Sequence, residues 1–509
     1  MFHHLRRLAT TGFAYTASSV LSKLIAIFLL PVYTAYLSPA DYGAAEVMLA
    51  CLVAASIVVR LGVIEAILRF YYLADEDPGA VVKTGFASLF WTTTLAALIA
   101  LPFAEPISEA LLEEPDTQLA QLAILGLWQL TLWEYVLTLL RLDERAKAYF
   151  TYTIVQVAVT IPVTVALVVG TDLGASAILL GSFGTGTLFL LARIWVERRR
   201  LGLTVDTRLL RRMTRFGLPT MPAELTIYSL SFIDRIIIVR LAGLAEAGLY
   251  ALAVKFANGM QVLARGFHLA WPPLAYSIQD DDEARRAYSL IITWFVAMVA
   301  FAVVGLWLLA PWLVRVLADE RFFAANEAVG PLAAGTALYA VYLALVVILG
   351  RTGRTELSFP ATLAAVVVNI ALNLWLVPEH GIVGAGVALM GSYVVVLVIM
   401  WAIVRRLFFV PYEWRRLTLA VGLAAVLIAV GETLVPHDGF DGFALTAALC
   451  VAYPAGLWAG RFLSEEERER LGALFERVRS APAREIDERE ARAESAVDQA
   501  TRDWDRGGT

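Results

Sequence analysis

Charged residues are scarce in this sequence. Aspartate, glutamate, lysine and arginine make up 17% of the 509 residues, and hydrophobic residues make up 59%. Soluble domains carry about 25% charged residues. The composition therefore argues against a soluble globular enzyme and predicts a protein that crosses a membrane many times.

Residues that hold metals and cofactors are also few. The two cysteines, Cys51 and Cys450, lie far apart in apolar segments, and the five histidines show no ligand spacing. This argues against a disulfide framework and a zinc site. No GxxxxGK phosphate loop occurs, so an ATP-driven pump of the P-loop class is not expected. We expect no cofactor, no metal and no nucleic-acid partner.

Long apolar runs dominate what is present. Because a bilayer core of about 30 Å needs roughly 20 apolar residues per helix, the runs can be divided at charged and Pro/Gly-rich breaks. The division predicts an all-α membrane protein with 14 transmembrane helices. Their limits are 11–37, 43–72, 81–104, 117–141, 147–170, 173–197, 217–242, 246–276, 286–310, 326–350, 356–378, 382–406, 416–435 and 441–461.

The side of the membrane on which the loop arginines and lysines fall tests this division independently, because hydropathy did not use it. With the N-terminus in the cytoplasm, nearly all loop arginines and lysines fall on the cytoplasmic side, and the outer connections hold only Arg240, Arg315 and Arg321. This asymmetry is typical of multi-pass proteins of a cytoplasmic membrane. We therefore expect both termini in the cytoplasm, with the first apolar run kept as a span rather than cleaved as a signal peptide.

An internal repeat organises the chain. A shift of 205 residues superposes "RRLATTG" (6–12) on "RRMTRFG" (211–217) and "ADYG" (40–43) on "AEAG" (245–248). Six helices separate the repeats, so two six-helix lobes in one orientation should be related by a pseudo-two-fold axis along the membrane normal. The predicted units are an N-lobe (1–202), a C-lobe (203–410), helices 13 and 14 (411–463) and a charged cytoplasmic tail (464–509).

Three segments resemble a known transporter group. They are "LLPVYTAYLSPADYGAAEV" (29–47), "FGLPTMPAELTIYSLSFIDRIIIVRLAGLAEAGLYALAVKF" (216–256) and "NLWLVPEHGIVGAGVAL" (373–389). These resemble the polysaccharide flippases of the multidrug/oligosaccharidyl-lipid/polysaccharide superfamily, which also contains MATE-type antiporters. The resemblance implies a V of two lobes plus two added helices. It also implies a flippase that moves a polyprenyl-diphosphate-linked oligosaccharide between leaflets for surface polysaccharide biosynthesis.

Basic residues within the predicted spans are the first candidates for a site. They are Lys23, Arg60, Arg69, Arg235, Lys255 and Arg265. Each costs at least about 2.5 kcal/mol at the bilayer centre, so they should face protein or a hydrated cleft. Lys23, Arg60 and Arg265 lie about 14 to 19 residues from the outer ends of their helices, which places them in the central or cytoplasmic half.

Two interpretations of these charges remain open. In the first, they serve assembly through the pairs Glu65–Arg69, Glu224–Arg265 and Asp234–Lys255, which leaves Lys23, Arg60 and Arg235 without an obvious partner unless Asp234 pairs with Arg235. In the second, Lys23, Arg60, Arg265, Arg235 and Lys255 bind the substrate diphosphate, since guanidinium recognises phosphate in bidentate fashion. Lipid II flippases, which are relatives of the polysaccharide flippases that the chain resembles, also present basic residues on helices 1, 2 and 8, and Lys23, Arg60 and Arg265 match that pattern by helix.

Other polar residues in the spans are candidates for ion coupling, sugar contacts or helix packing. The acids Glu65, Glu224 and Asp234 could couple transport to a proton or sodium ion, or serve only as partners of the bases. Sugar contacts are predicted for Tyr33, Tyr228, Asn258, Gln261 and Trp271. Asn369 and Asn373, spaced i,i+4, are predicted to hold helices together.

The resulting function is a lipid-linked oligosaccharide flippase that works by alternating access. A drug or cation antiporter of the same fold is the alternative, and a membrane glycosyltransferase is less well supported because the outer loops are short. Expected partners are the lipid-linked substrate, membrane lipids and a polysaccharide polymerase or glycosyltransferases.

Overall fold

The computed structural model describes residues 29–463 and residue 467, and all regular structure in them is helical. The α-helices are α1 Leu30–Tyr36, α2 Pro39–Arg60, α3 Val63–Phe70, α4 Pro78–Ala100, α5 Ala104–Leu111, α6 Thr117–Leu142, α7 Ala146–Gly170, α8 Ala175–Glu197, α9 Thr207–Gly217, α10 Met221–Ala242, α11 Leu244–Ala257, α12 Met260–Ser277, α13 Asp281–Leu317, α14 Asn326–Arg351, α15 Ser358–Leu407, α16 Trp414–Leu434 and α17 Gly439–Ala459. Short 3₁₀ turns occupy Leu101–Phe103, Leu218–Thr220, Glu320–Ala325 and Thr355–Leu357.

The predicted spans largely coincide with these helices. Ten helices of the described residues are long and apolar enough to cross a membrane. Spans 2 to 14 each overlap an observed helix, whereas only the end of span 1 is described, as α1. The count of fourteen therefore stays a prediction, and the predicted tail 464–509 lies outside the described residues apart from Glu467.

Two predicted spans differ from the structure in continuity. Span 2 is broken into α2 and α3, because Leu61 and Gly62 adopt left-handed conformations with φ of 49° and 69°. Spans 11 and 12 remain two helices, as predicted, because Gly381 between them, within α15, has non-helical backbone angles (φ 51°, ψ −132°). Span 8, by contrast, is divided at Asn258–Gly259 into α11 and α12. An unbroken apolar run does not reveal such breaks, since they depend on backbone conformation rather than on hydropathy.

Side-chain caps fix where the central helix α2 begins. The Ser38 hydroxyl accepts a hydrogen bond from the Asp41 amide at 3.1 Å, and the Asp41 carboxylate accepts one from the Ser38 amide at 3.2 Å. This reciprocal capping box satisfies amides that the first turn leaves free. It sets the register of α2, which carries Glu46 near one end and Arg60 as its last residue.

The two predicted repeats meet along α2. We call residues 29–202 the first half and 203–410 the second half. Helix α2 of the first half packs against α10 and α11 of the second, and we call this contact the seam. Within the first half α6 and α7 pack on α8, and within the second half α14 packs on α13 and α15.

Two glycine contacts close the seam at opposite ends of α2. A Cβ on Gly43 would overlap the Leu244 carbonyl, and one on Gly248 would overlap the Pro39 carbonyl. Gly43 and Gly248 are equivalent in the 205-residue repeat, so their reciprocal contact is what a two-fold axis between the repeats requires. At the other end, Gly62 and Gly217 touch backbone to backbone. The backbones approach this closely because the contact residues are glycines, which have no side chain.

Candidate functional site

A cavity of about 850 Å³ lies between the two halves. Its lining includes charged residues from both sides of the seam: Arg60, Glu134, Glu224, Arg235 and Arg265. Polar and aromatic lining is supplied by Ser56, Tyr228, Tyr250, Asn258, Gln261, His268, Thr336, Tyr339 and Tyr393. Its volume falls in the range of pockets that enclose small-molecule ligands.

Arg60 is held by two carboxylates, one from each half. Its Nη1 donates to Glu134 Oε1 at 2.8 Å, and its Nη2 donates to Glu224 Oε1 at 2.7 Å. Arg60 is only 5% exposed, and its Nε has no partner among the described residues. The expectation that Arg60 lacks a partner is therefore wrong. Glu224 pairs with Arg60 and not with Arg265, and Glu134, within predicted span 4, was not among the predicted partners.

A second cluster joins the halves nearer the Gly43 end of α2. The buried Glu46 carboxylate accepts from Lys255 Nζ at 2.6 Å and lies 3.5 Å from Arg235 Nη1. Arg235 also donates to the Glu46 carbonyl at 3.1 Å. The predicted pair Asp234–Lys255 is thus wrong, and Arg235 shares Glu46 rather than pairing with Asp234. One buried carboxylate between two cations meets the rule that buried charge must be partnered.

Asp234 lies in a separate buried cluster of neutral donors. Tyr250 donates its hydroxyl to Oδ2 at 2.7 Å, and Asn373 donates Nδ2 to Oδ1 at 2.8 Å. The three side chains come from α10, α11 and α15, so the hydrogen bonds link three helices. The prediction that Asn373 holds helices together is confirmed. Asp234 itself is fully buried.

The predicted pair Glu65–Arg69 does not form in the described part of the chain. Arg69 is exposed, and its guanidinium carbon lies 4.5 Å from the centre of the Phe216 ring, a cation–π geometry. Both residues lie within α3, so their i,i+4 spacing is kept, and the Arg69 guanidinium packs on Phe216 instead of meeting Glu65. Lys23, the remaining predicted diphosphate ligand, lies outside the described residues.

Three of the five predicted sugar contacts line the cavity. These are Tyr228, Asn258 and Gln261. Two of them are bonded to each other, because Gln261 Nε2 donates to Asn258 Oδ1 at 2.8 Å. Tyr33 lies outside the lining, and Trp271 is 1% exposed with its indole donated to the Ala344 carbonyl at 3.2 Å. Trp271 is a core residue here, and burial on all sides leaves it no face for a sugar.

The cavity therefore presents guanidinium groups together with carboxylates. Arg60, Arg235 and Arg265 could bind an anionic group, and Glu134 and Glu224 could bind a cation. No group of acidic, histidine or cysteine side chains that could hold a metal occurs among the described residues. This cavity, which we call the chamber, lies between the two halves and is lined by positive and negative groups from each of them.

Comparison with known proteins agrees with this architecture. The family model described as "Polysaccharide biosynthesis protein" matches residues 34–327. No curated protein matches the chain in sequence. The lipid II flippase MurJ in an inward closed conformation superposes with a TM-score of 0.70 at 12% identity, covering 89% of this chain and 99% of that one. An inward-facing multidrug resistance MATE family transporter of the MOP superfamily superposes with a TM-score of 0.62 at 15% identity, covering 76% and 94%.

Proposed function

The chain belongs to the polysaccharide biosynthesis protein family, and we propose that it carries a lipid-linked oligosaccharide across the cytoplasmic membrane by alternating access. The substrate would enter from the cytoplasmic leaflet and leave to the outer leaflet. Both termini would lie in the cytoplasm, with the halves 1–202 and 203–410 moving as lobes. The MATE-like and MurJ-like fold is compatible with this cycle, and lipid II, the substrate of the flippase MurJ, is itself a lipid-linked saccharide.

The observation that carries the proposal is the chamber at the seam. Arg60, Arg235 and Arg265 line a single cavity, and they come from both halves. A diphosphate that crosses the membrane must find compensating charge at each depth, because an unpaired charge in hydrocarbon is costly. Guanidinium groups supply that charge and match phosphate geometry. Lys255 would contribute its charge indirectly, because it binds Glu46, which also lies beside Arg235.

The sugar would occupy the polar side of the same chamber. Asn258 and Gln261 offer amide groups, and the Tyr228 ring stacks on Phe232 with ring centres 5.4 Å apart. Amides hydrogen-bond to sugar hydroxyls, and aromatic faces pack on sugar rings. The isoprenoid tail would remain between helices in the membrane while the headgroup crosses.

Coupling to an ion gradient is assigned to Asp234 rather than to Glu65 or Glu224. Glu224 is committed to Arg60, and Glu65 lies in α3, outside the cavity lining. Asp234 is fully buried and its hydrogen bonds come from neutral donors, so a bound proton or sodium ion would neutralise a buried charge. Asp234→Asn should abolish the dependence of transport on the proton or sodium gradient.

The test is reconstitution of the whole chain in liposomes with a fluorescent polyprenyl-diphosphate oligosaccharide. Arg60→Gln, Arg265→Gln and Lys23→Ala should each slow flipping by about tenfold or more, since each removes a charged hydrogen bond of at least about 1.5 kcal/mol. Arg69→Gln is the matched control, because Arg69 lies outside the cavity lining. Flipping at the wild-type rate in all three variants would refute the assigned role.

A cation antiporter is the second candidate, and one observation favours it. Glu134 and Glu224 line the cavity as carboxylates that could receive an organic cation. The same liposomes distinguish the two functions, because an antiporter would accumulate ethidium under an imposed proton gradient. Ethidium transport that Glu134→Gln abolishes, without any flipping of the lipid-linked probe, would replace the flippase proposal.

A further inference from the structure

We propose that Glu224 is an internal substitute for the substrate diphosphate, occupying Arg60 whenever the chamber is empty. The diphosphate and the Glu224 carboxylate would then compete for one guanidinium. This inference rests on the proposed function and adds how the empty transporter closes. It assigns to Glu224 a role in resetting the protein rather than in ion coupling.

The first step is the free-energy cost of leaving one side of the buried Arg60 guanidinium without an acceptor. Arg60 is 5% exposed and stands at the end of α2, in the interior of the membrane protein. Glu134 satisfies Nη1 only, and a buried donor left without an acceptor is costly. Closure of the two halves around Arg60 therefore needs an anionic acceptor at Nη2, whether the substrate or the protein carries it.

The second step is that the two carboxylates on Arg60 are not equivalent. Glu134 belongs to α6 in the same half as Arg60, so it stays with Arg60 when the halves separate. Glu224 belongs to α10 in the other half, at 2.7 Å from Nη2. Only the Glu224 bond must break when the seam opens. Opening therefore frees one side of Arg60, and a substrate phosphate can occupy it.

The third step links this bond to the closure of the seam. Gly62, two residues after Arg60, touches Gly217 backbone to backbone. Leu61 and Gly62 form the left-handed break that ends α2, and the 3₁₀ turn Leu218–Thr220 precedes α10 and its Glu224. The ion pair and the glycine contact thus lie at one closure, which the predicted topology puts on the cytoplasmic side. Losing one should weaken the other.

No other acid in the described cavity lining can replace Glu224 from the second half. Besides Arg60's own Glu134, Glu224 is the only acidic residue among the described lining residues. Glu46 is occupied by Lys255 and Arg235, and it lies 14 residues from Arg60 along α2, about 21 Å at the rise of an α-helix. An empty protein without the Glu224 charge should therefore close poorly at this end.

The experiment measures closure and binding on the same full-length protein. In a Cys51→Ser, Cys450→Ser background, spin labels replace the exposed residues Asp75 and Arg354, which follow predicted spans 2 and 10 on one side of the membrane. Distances are recorded by double electron–electron resonance for wild type, Glu224→Gln and Glu134→Gln, with and without farnesyl diphosphate. Affinity for farnesyl diphosphate is measured separately by calorimetry.

The expected result has two parts. Empty Glu224→Gln should populate longer distances than wild type, and farnesyl diphosphate should restore the short ones, because the ligand supplies the missing anion. Its affinity for the ligand should rise by about tenfold or more, since no internal carboxylate then has to be displaced. Empty Glu134→Gln should keep the wild-type distances, because its bond does not cross the seam. Glu224→Ala should behave like Glu224→Gln.

Failure of this inference can be told from failure of the proposed function. If wild type binds farnesyl diphosphate but Glu224→Gln shows wild-type affinity and wild-type distances, the substitution role is wrong and the flippase proposal stands. If wild type binds no farnesyl diphosphate at all, both proposals fail together. Binding that strengthens equally in both variants with no change in distance reduces Glu224 to a general electrostatic effect and also overturns the inference.

Discussion

The two glycine contacts give a direct prediction about the conformational equilibrium. Replacing Gly248 by alanine places a Cβ against the Pro39 carbonyl and 3.0 Å from the Gly43 amide nitrogen, so the seam must part at that end. Replacing Gly217 does the same at the opposite end, against the Gly62 carbonyl. Gly217 is preferred to Gly62 because the φ of 69° at Gly62 would add backbone strain to the result.

The size of the effect follows from overpacking. Forcing a methyl group into a closed contact costs about 1–3 kcal/mol, which corresponds to a change of about 5- to 150-fold in the ratio of closed to open protein. Gly248→Ala should open the end near Gly43, and Gly217→Ala should open the end near Gly62. The effects should have opposite directions because the contacts lie at opposite ends of α2.

Spin-label distances at the two ends provide the assay. Labels at exposed Glu114 and Glu379 report the end near Gly43, and labels at Asp75 and Arg354 report the other. Gly305→Ala is the matched control, because nothing lies within 4 Å of a Cβ there. Unchanged distances in Gly248→Ala, or opening of both ends at once, would refute the view that each glycine contact holds one end closed.

Two further predictions concern ion pairs inside and outside the spans. Glu46→Gln should destabilise the protein in detergent by about 3–5 kcal/mol, because it removes the buried carboxylate that partners both Lys255 and Arg235, whereas Asp282→Asn in an exposed pair should change the melting temperature little. In the loop after α6, burial alone would raise the pKa of Asp143, but the hydrogen bonds and charge of Arg200 outweigh it and hold the pKa below its ordinary value. A lowered folded-state pKa contributes stability above the ordinary aspartate range and loses it as pH falls through the lowered value. The melting temperature of wild type should therefore exceed that of Asp143→Asn at neutral pH and converge with it in acid; a constant difference would contradict the pairing.

The helical architecture was predictable because a bilayer leaves the backbone few options. Every polar backbone group must be satisfied within the span, so a long apolar run predicts a helix whatever its tertiary contacts. The break after Arg60 was not predictable in the same way. Leu61 and Gly62 continue the apolar run, and the backbone contact of Gly62 with Gly217, a residue of the other repeat, cannot be read from that run.

The partners of the charges were the least predictable feature. The cost of burial predicts that Arg60 faces protein or water, and it does, but it cannot say which acid it meets. Glu134 lies 74 residues away and Glu224 lies 164 residues away, so their depth and rotation on other helices decide the pairing. Glu46 was overlooked because it falls near the predicted end of span 2, where an acid is expected to reach water.

Ion pairs across the seam favour opening at one end at a time, which apolar contacts across the seam would not do. In the proposed cycle the halves separate at one end at a time, and water enters the opening. Breaking a buried ion pair is costly only when its charges stay dry, because hydration returns the desolvation cost that closure imposed. The Arg60–Glu224 pair would part only when its end is wet, while Glu46 with Lys255 and Arg235 stays closed and paired at the other end. Opening both ends together would break both sets at once, so the charges favour alternation over a continuous leak.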